Sequence, residues 1–131
     1  MERESLPDLE RRRYLRLKDN ILIFGNLMSS PLGKFKAFTN DISAGGLMFE
    51  SERGISKERE LELEIYQPTD RHKYMLFSIT VLAKIIWIRK IAKENFDPGE
   101  NKYRIGMEFS KIKDEDRQRI AKYVENNLSG R

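Results

Sequence analysis

The sequence predicts an all-β fold with a terminal helix: a six-stranded antiparallel β-barrel followed by a C-terminal amphipathic α-helix. Two observations predict it. Six short stretches rich in β-branched and aromatic residues are separated by turn-forming residues, and a helical spacing of apolar residues occurs only at the end of the chain. Because no strand alternates with a helix, a parallel sheet is disfavoured. A closed barrel leaves no strand edge exposed, and a β-sandwich is the alternative arrangement.

The predicted strands follow one another between clusters of Gly, Pro, Asn and Asp. They are Asn20–Gly25, Lys34–Thr39, Leu47–Glu50, Glu60–Ile65, Phe77–Ile88 and Tyr103–Phe109. The fourth stretch alternates acidic and aliphatic residues, which is typical of a strand with one face in water and the other in the core. We expect Asn40 and Asp41 to end the second strand, and a polar hairpin loop over 93–101.

The predicted helix begins with acidic residues, Asp114 to Asp116, which suit the positive end of a helix dipole. Ile120, Val124 and Leu128 recur every four residues and form one apolar stripe, with Tyr123 beside it. We therefore expect the helix to pack across a barrel opening or against a sheet face.

The chain length of 131 residues fits one domain, and we expect residues 1–9 to form a flexible arm before a single domain over 10–131. Cysteine is absent, which excludes disulfides and thiolate metal sites. The amino terminus is charged, and the longest apolar run, 79–88, is interrupted by Lys84 and too short to cross a bilayer. We therefore expect a cytoplasmic protein without membrane insertion.

The charge balance limits the classes of ligand. The formal net charge of +4 comes from 25 basic and 21 acidic residues, which is too balanced to hold duplex nucleic acid by bulk electrostatics. The basic excess is local, near the amino terminus, and favours a small anionic ligand. The sequence contains no nucleophile–base pair, metal-ligand cluster or phosphate-binding glycine loop, so we expect neither an enzyme nor a bound metal or cofactor. The lone His72 is interpreted as a solvated loop residue.

Two short segments carry the functional information. Four arginines lie within Arg11–Arg16, and an Asp-x-Ser segment ending in two glycines lies at 41–46. Arginine presents a planar fork of donors that suits phosphate and guanine edges. The second segment offers an acceptor, a hydroxyl and a backbone that a ligand can approach closely. Together they suit a phosphorylated purine, whereas the second segment alone could be an ordinary Asx-turn.

The motifs Arg12-x-x-x-Arg16 and Asp41-x-Ser43-x-x-Gly46 resemble the two-part signature of PilZ domains, which are bacterial receptors for cyclic di-GMP. The resemblance extends from about Glu10 to Leu128, and it implies a six-stranded barrel with a C-terminal helix. It includes Ile86-Trp87 on the long strand and Gly106-x-x-Phe109 on the last one. The loop over 90–102 is longer than in a minimal PilZ hairpin.

The resemblance also implies roles for individual residues. Arg12 and Arg16 are expected to bind phosphate oxygens and the Hoogsteen edge of guanine. Asp41 is expected to accept hydrogen bonds from guanine N1–H and the exocyclic amine, and Ser43 to offer its hydroxyl to the base or a phosphate. A bidentate arginine–guanine pair contributes about 1–3 kcal/mol of discrimination. Gly46 is expected to be required either for a positive φ or for close approach of the ligand.

Two further residues complete the predicted ligand-binding set. Arg11 is a candidate for a third contact or a stacking surface, whereas Arg13 is expected to face solvent. Trp87, the only tryptophan, is a candidate for stacking on guanine, and packing at the barrel rim is the alternative.

We expect a non-enzymatic cyclic di-GMP receptor whose arginine-rich arm, from about Glu10 to Leu17, becomes ordered on ligand binding. The ordered arm would change contact with an unidentified downstream protein, in motility, secretion or exopolysaccharide control. A small β-barrel that binds single-stranded nucleic acid is the alternative. A PilZ-type adaptor that binds only protein is a third possibility.

Overall fold

The structure, a computed structural model, describes residues 14–26, 33–52, 60–68, 75–91 and 102–129. Within these ranges the chain forms six strands and one helix. They are β1 (Leu22–Asn26), β2 (Lys34–Ser43), β3 (Gly46–Ser51), β4 (Glu60–Pro68), β5 (Leu76–Lys90), β6 (Tyr103–Lys111) and α1 (Asp114–Ser129). The predicted arm over 1–9, Arg11 to Arg13, His72 and the loop over 93–101 lie outside the described residues.

The six strands close into a barrel in the order β1-β2-β3-β6-β5-β4, and every pairing is antiparallel. The predicted barrel is confirmed, and the sandwich alternative is wrong. Strand β1 begins two residues later than predicted, at Leu22. The other strands run further than their local composition predicts, most clearly β2, which continues through Asn40 and Asp41 to Ser43. A β-bulge between Thr39 and Asp41 explains the extension, because it places the extra residue without ending the ladder with β3.

The core follows the expected period of two. On β4 the side chains of Leu61, Leu63 and Ile65 are fully buried, and the glutamates between them are exposed. The same alternation on the other strands fills the barrel interior with aliphatic side chains and with Phe49 and Phe109. Burial of apolar surface on this scale is the main driving force for folding.

Helix α1 packs onto this core, as predicted. Ile120, Tyr123 and Val124 are buried in the same cluster as the inward-facing strand residues. Leu128, the last member of the predicted stripe, is 38% exposed, so the apolar contact ends one turn earlier than the spacing indicates. The helix starts with Asp114, Glu115 and Asp116 in its first turn, as the dipole argument requires.

Helix α1 is also tied to the chain that precedes β1. The Tyr123 hydroxyl donates a short hydrogen bond to the Asp19 carboxylate, and the side-chain amide of Gln67 on β4 donates to the Arg119 carbonyl at 3.5 Å. The helix is therefore attached to both the leading segment and the barrel.

In the part of the chain that the structure describes, no helix is both long enough and apolar enough to cross a bilayer. Within the same ranges, no three acidic or histidine side chains gather into a group suited to holding a metal ion.

Candidate functional site

The segment before β1 is fastened to β2 beside the second motif. Leu17 forms an antiparallel bridge with Ile42: the amide of each residue donates to the carbonyl of the other, at 2.9 and 3.0 Å. The Leu17 side chain is buried in the core. The end of the first motif is thereby held next to the start of the second.

Thr39, the residue before the β2 bulge, reinforces this attachment. Its buried hydroxyl donates to the Asp19 carbonyl at 2.7 Å and accepts from the Ile21 amide at 2.9 Å. Its own amide donates to the Ile21 carbonyl at 2.9 Å. The Asn20 side-chain amide donates to the Thr39 carbonyl at 2.8 Å, so a threonine in the middle of a strand binds the leading segment through four hydrogen bonds.

The two sequence motifs meet at Arg16 and Asp41. Arg16 Nη1 donates to Asp41 Oδ1 at 2.5 Å across 25 positions of sequence. The side chains are 43% and 16% exposed, so solvent and a ligand can reach the pair. A guanidinium beside a carboxylate on an open surface can bind an acceptor-rich group and a donor-rich group together.

Ser43, which is predicted to contact a base or a phosphate, lies at the end of β2 and is buried. Its hydroxyl accepts hydrogen bonds from the amides of Gly45 and Gly46, at 3.1 and 3.2 Å, and donates to the Gly46 carbonyl at 3.3 Å. These three bonds use the donor and both acceptor positions of a hydroxyl. In this structure Ser43 shapes the turn between β2 and β3.

Gly46 is required for a reason that the sequence does not reveal. A Cβ at this position would lie 2.0 Å from the Met107 carbonyl oxygen and 3.1 Å from the Glu108 Cα, both in the backbone of β6. The close approach is therefore between two strands of the barrel, and no positive φ is involved.

The neighbouring glycine packs against an aromatic ring from the leading segment. A Cβ at Gly45 would lie 2.7 Å from Cδ2 of Tyr14, so the ring sits over the turn. The guanidinium of Arg117 on α1 lies 5.8 Å from the centre of the same ring. Tyr14 thus joins the first motif, the second motif and the helix, a role that sequence reasoning missed although the residue lies inside the arginine cluster.

The register of the barrel places Trp87 in line with Asp41. Asp41 pairs with Met48 on β3, Met48 with Gly106 on β6, and Gly106 with Trp87 on β5. At a strand spacing of about 4.8 Å this row is about 14 Å long. We call these four residues the Asp41–Trp87 row.

No side chain projects from the third position of the Asp41–Trp87 row, because that residue is Gly106. A Cβ at Gly106 would lie 2.2 Å from Cε2 and Nε1 of Trp87, so the indole lies over Gly106. The indole is half-buried. An aromatic surface at one end of the row and an ion pair at the other form a platform suited to a flat, polar, charged ligand.

A second row, one step along the same surface, carries positive charge. Arg104 pairs with Glu50 in the ladder and also with Arg89. Arg104 Nη2 lies 3.1 Å from Glu50 Oε2, and the Asn40 amide donates to the same oxygen at 3.4 Å. The guanidinium of Arg89 lies 5.5 Å from the centre of the Trp87 ring. Sequence reasoning missed both arginines. Arg89 follows Trp87 by two positions on β5 and therefore lies on the same face, whereas only the register brings Arg104 beside them.

Of the predicted ligand-binding residues, the structure therefore brings together Arg16 and Asp41, with Trp87 in line with them. Ser43 and Gly46 lie in the adjoining turn and shape it. Arg11 and Arg12 lie outside the described residues.

Comparison with protein families gives one match. The family model of the PilZ domain matches residues 10–126, which is most of the chain. No functionally curated protein matches the chain.

Solved structures show the same fold. The chain is similar to the Bacillus subtilis inhibitor of motility, MotI, with 23% identity and a TM-score of 0.73; the match covers 92% of this chain and 53% of MotI. It is similar to the PilZ domain of YcgR from Escherichia coli with c-di-GMP, with 16% identity and a TM-score of 0.61, over 92% of this chain and 95% of that domain.

A third similar structure is the MrkH–c-di-GMP complex of K. pneumonia, with 18% identity and a TM-score of 0.63. The match covers 92% of this chain and 53% of MrkH. The chain spans about half the length of MotI and of MrkH.

Proposed function

The chain belongs to the PilZ domain family, and on that basis we propose that it binds cyclic di-GMP and signals to a protein partner. PilZ domains are non-enzymatic receptors for this second messenger. The observation that carries the proposal is the contact between Arg16 and Asp41, which joins the two halves of the family motif at one exposed place.

Asp41 and Arg16 have complementary tasks towards a guanine nucleotide. The carboxylate accepts hydrogen bonds from guanine N1–H and from the exocyclic amine, which adenine cannot donate in the same pattern. The Arg16 guanidinium binds O6 and N7 of a guanine or a phosphate oxygen. Arg16 and Asp41 already pair with each other. Ligand binding therefore exchanges this charge-assisted hydrogen bond for new ones to the nucleotide.

Arg11 and Arg12 supply the remaining positive charge in this proposal. Leu17 is buried and Tyr14 packs on the turn, so we expect ligand-dependent ordering to involve residues 10–13 rather than the whole segment to Leu17. Because ordering that segment consumes part of the interaction energy, we expect a dissociation constant in the micromolar range. This corresponds to a binding free energy of about −8 kcal/mol.

Trp87 and the turn complete the site. We assign Trp87 to stacking on one guanine across the Asp41–Trp87 row, with its ring supported from below by Gly106. We assign Ser43 and Gly46 an indirect role, because their hydrogen bonds and backbone contacts hold Asp41 at the correct end of β2.

The downstream partner is proposed to be a protein in the cytoplasm. MotI is named for inhibition of motility and MrkH for c-di-GMP-dependent transcription regulation. The analogy with MotI supports motility as the process that this chain regulates, and secretion and exopolysaccharide control stay predictions from the resemblance to PilZ domains. The new surface formed by the ligand and residues 10–13 is what the partner would recognise.

Isothermal titration calorimetry of the full chain with cyclic di-GMP tests the proposal. We expect micromolar binding by the wild type, and a loss of at least about tenfold for Arg16→Ala and for Asp41→Ala, because each removes a charge-assisted hydrogen bond. Cyclic di-AMP should bind much more weakly.

Lys18→Ala is the matched control, since Lys18 is an exposed cation close to Arg16 in sequence and is assigned no contact. It should bind like the wild type. Absence of heat for the wild type at tens of micromolar, or equal affinity for all four proteins, would overturn the proposal.

The single-stranded nucleic-acid alternative is less well supported. Glu62 and Glu64 are exposed on the outer face of β4 and would repel a phosphate backbone. Preference for an oligonucleotide over cyclic di-GMP in the same titration, with a steep dependence on salt, would favour that alternative instead.

A further inference from the structure

A second exposed surface lies on a different part of the barrel, on β2, β1 and β4. The register places Lys36, Phe24 and Glu64 side by side, and the next row holds Lys34, Asn26 and Glu62. A lysine column on β2, a column on β1 that holds Phe24 and Asn26, and a glutamate column on β4 thus run parallel to the strands. We call these columns together the β1 face.

The centre of the β1 face exposes aromatic surface. Phe24 is 37% exposed and Phe38, beside Leu22, is 54% exposed. Phe24 packs edge-on against Tyr66, with ring centres 5.5 Å apart, so this surface is a contiguous apolar patch. Such patches on a soluble domain are typical of interaction sites.

A groove with a volume of about 570 Å³ runs into the β1 face. Lys34 and Lys36 contribute to its lining on the β2 side, and Glu62 and Glu64 on the β4 side. These opposite charges favour a partner that places negative charge against the lysines and positive charge against the glutamates.

The charged columns are not paired with each other in this structure. The backbones of Lys36 and Glu64 lie on either side of β1, at two strand spacings or about 10 Å. Within the described residues, neither the two lysines nor Glu62 and Glu64 take part in a salt bridge. As far as the described residues go, all four charges are therefore available to a partner.

A second copy of the same chain has the required arrangement. When two β1 faces meet about a two-fold axis that is parallel to the strands, the lysine column of each copy faces the glutamate column of the other. The Phe24 side chains then meet at the axis. This isologous contact is self-complementary and closed, as a two-fold dimer must be.

We propose that the chain forms a homodimer through its β1 face, with Lys34 and Lys36 of each copy paired with Glu62 and Glu64 of the other. The contact does not use Arg16 or Trp87. The inference goes beyond the proposed receptor function and does not depend on it.

Sedimentation equilibrium of the full chain over a concentration series tests the proposal. The wild type should rise from 15.5 kDa towards twice that mass as its concentration increases. Phe24→Asp should remain a monomer at every concentration, because a carboxylate would be buried at the axis. Circular dichroism and thermal unfolding of each variant show whether it is folded.

Charge exchange provides the sharper test. Lys34→Glu with Lys36→Glu makes both columns acidic, and Glu62→Lys with Glu64→Lys makes both basic. Each double variant alone should be monomeric because like charges meet, whereas an equimolar mixture of the two should restore the dimer as a heterodimer.

Lys90→Glu with Lys122→Glu is the matched control, since it changes the net charge equally at exposed positions outside the β1 face. It should dimerise like the wild type and should not associate selectively with the basic variant. A wild type that stays at 15.5 kDa at all concentrations, or a dimer that survives both double variants, overturns the proposal.

Discussion

Arg16 and Asp41 form an ion pair whose partial exposure limits its value to the fold. Side chains that are 43% and 16% exposed are screened by water, and pairs of this kind contribute about 0–1 kcal/mol to stability. The pair can therefore open towards a ligand without unfolding the barrel. This property fits the proposed site, in which both side chains change partners when cyclic di-GMP binds.

The close contact of Gly46 with the backbone of β6 should matter for stability. Gly46→Ala should lower the free energy of unfolding by about 1–3 kcal/mol, because its Cβ would meet the β6 carbonyl of Met107 at 2.0 Å. Urea denaturation measures the change.

Gly45→Ala is the matched control within the same turn. Its Cβ would meet only the side chain of Tyr14, which can move aside, so a smaller loss is expected. An alanine at Gly46 that costs no more than one at Gly45 would contradict the assigned backbone contact.

Trp87 on β5 and Gly106 on β6 together present the indole ring to the ligand in the proposed site. Trp87→Ala should weaken the binding of cyclic di-GMP by about fivefold to 140-fold, since stacking on a base contributes about 1–3 kcal/mol. Gly106→Ala should also weaken it, because the new Cβ displaces the indole. Calorimetry measures both changes.

Trp87 is the only tryptophan, so ligand binding should also change the intrinsic fluorescence of the wild type. Phe24→Ala, which removes an exposed aromatic ring from β1, is the control and should bind as the wild type does. Unchanged affinity in both Trp87→Ala and Gly106→Ala would remove Trp87 from the site.

Helix α1 is held to the leading segment by Tyr123. Tyr123→Phe keeps the buried ring and removes the hydroxyl that donates to Asp19, so the free energy of unfolding should fall by about 1.5–3 kcal/mol, the range for a bond to a charged group. Chemical denaturation provides the measurement. Tyr103→Phe, a half-buried tyrosine on β6, should be close to neutral, and equal losses in the two variants would argue against the helix attachment.

At the scale of the whole molecule, the barrel separates its two proposed surfaces. The Asp41–Trp87 row crosses β2, β3, β6 and β5, whereas the β1 face covers β2, β1 and β4. Closure of the sheet turns these surfaces in different directions, so a dimer formed through the β1 face leaves the nucleotide site open. Dimerisation and ligand binding are accordingly expected to respond to different variants.

The elements of this fold are largely encoded locally. Alternation over Glu60–Ile65 and the four-residue spacing of Ile120 and Val124 determine which side chains are buried, and the structure confirms both. The two motifs are local as well, because each depends on the spacing of a few neighbouring residues. These patterns sufficed to predict the barrel, the helix and the family.

Local sequence patterns do not specify the register in which the strands pair. The row from Asp41 to Trp87 depends on pairings between strands that are distant in sequence and on bulges in β2 and β5, each of which changes the face on which later side chains lie. Ser43 and Gly46 likewise received their roles from the turn and from the backbone of β6. Composition and spacing therefore determined what this chain folds into, and strand pairing alone decided which side chains share a surface.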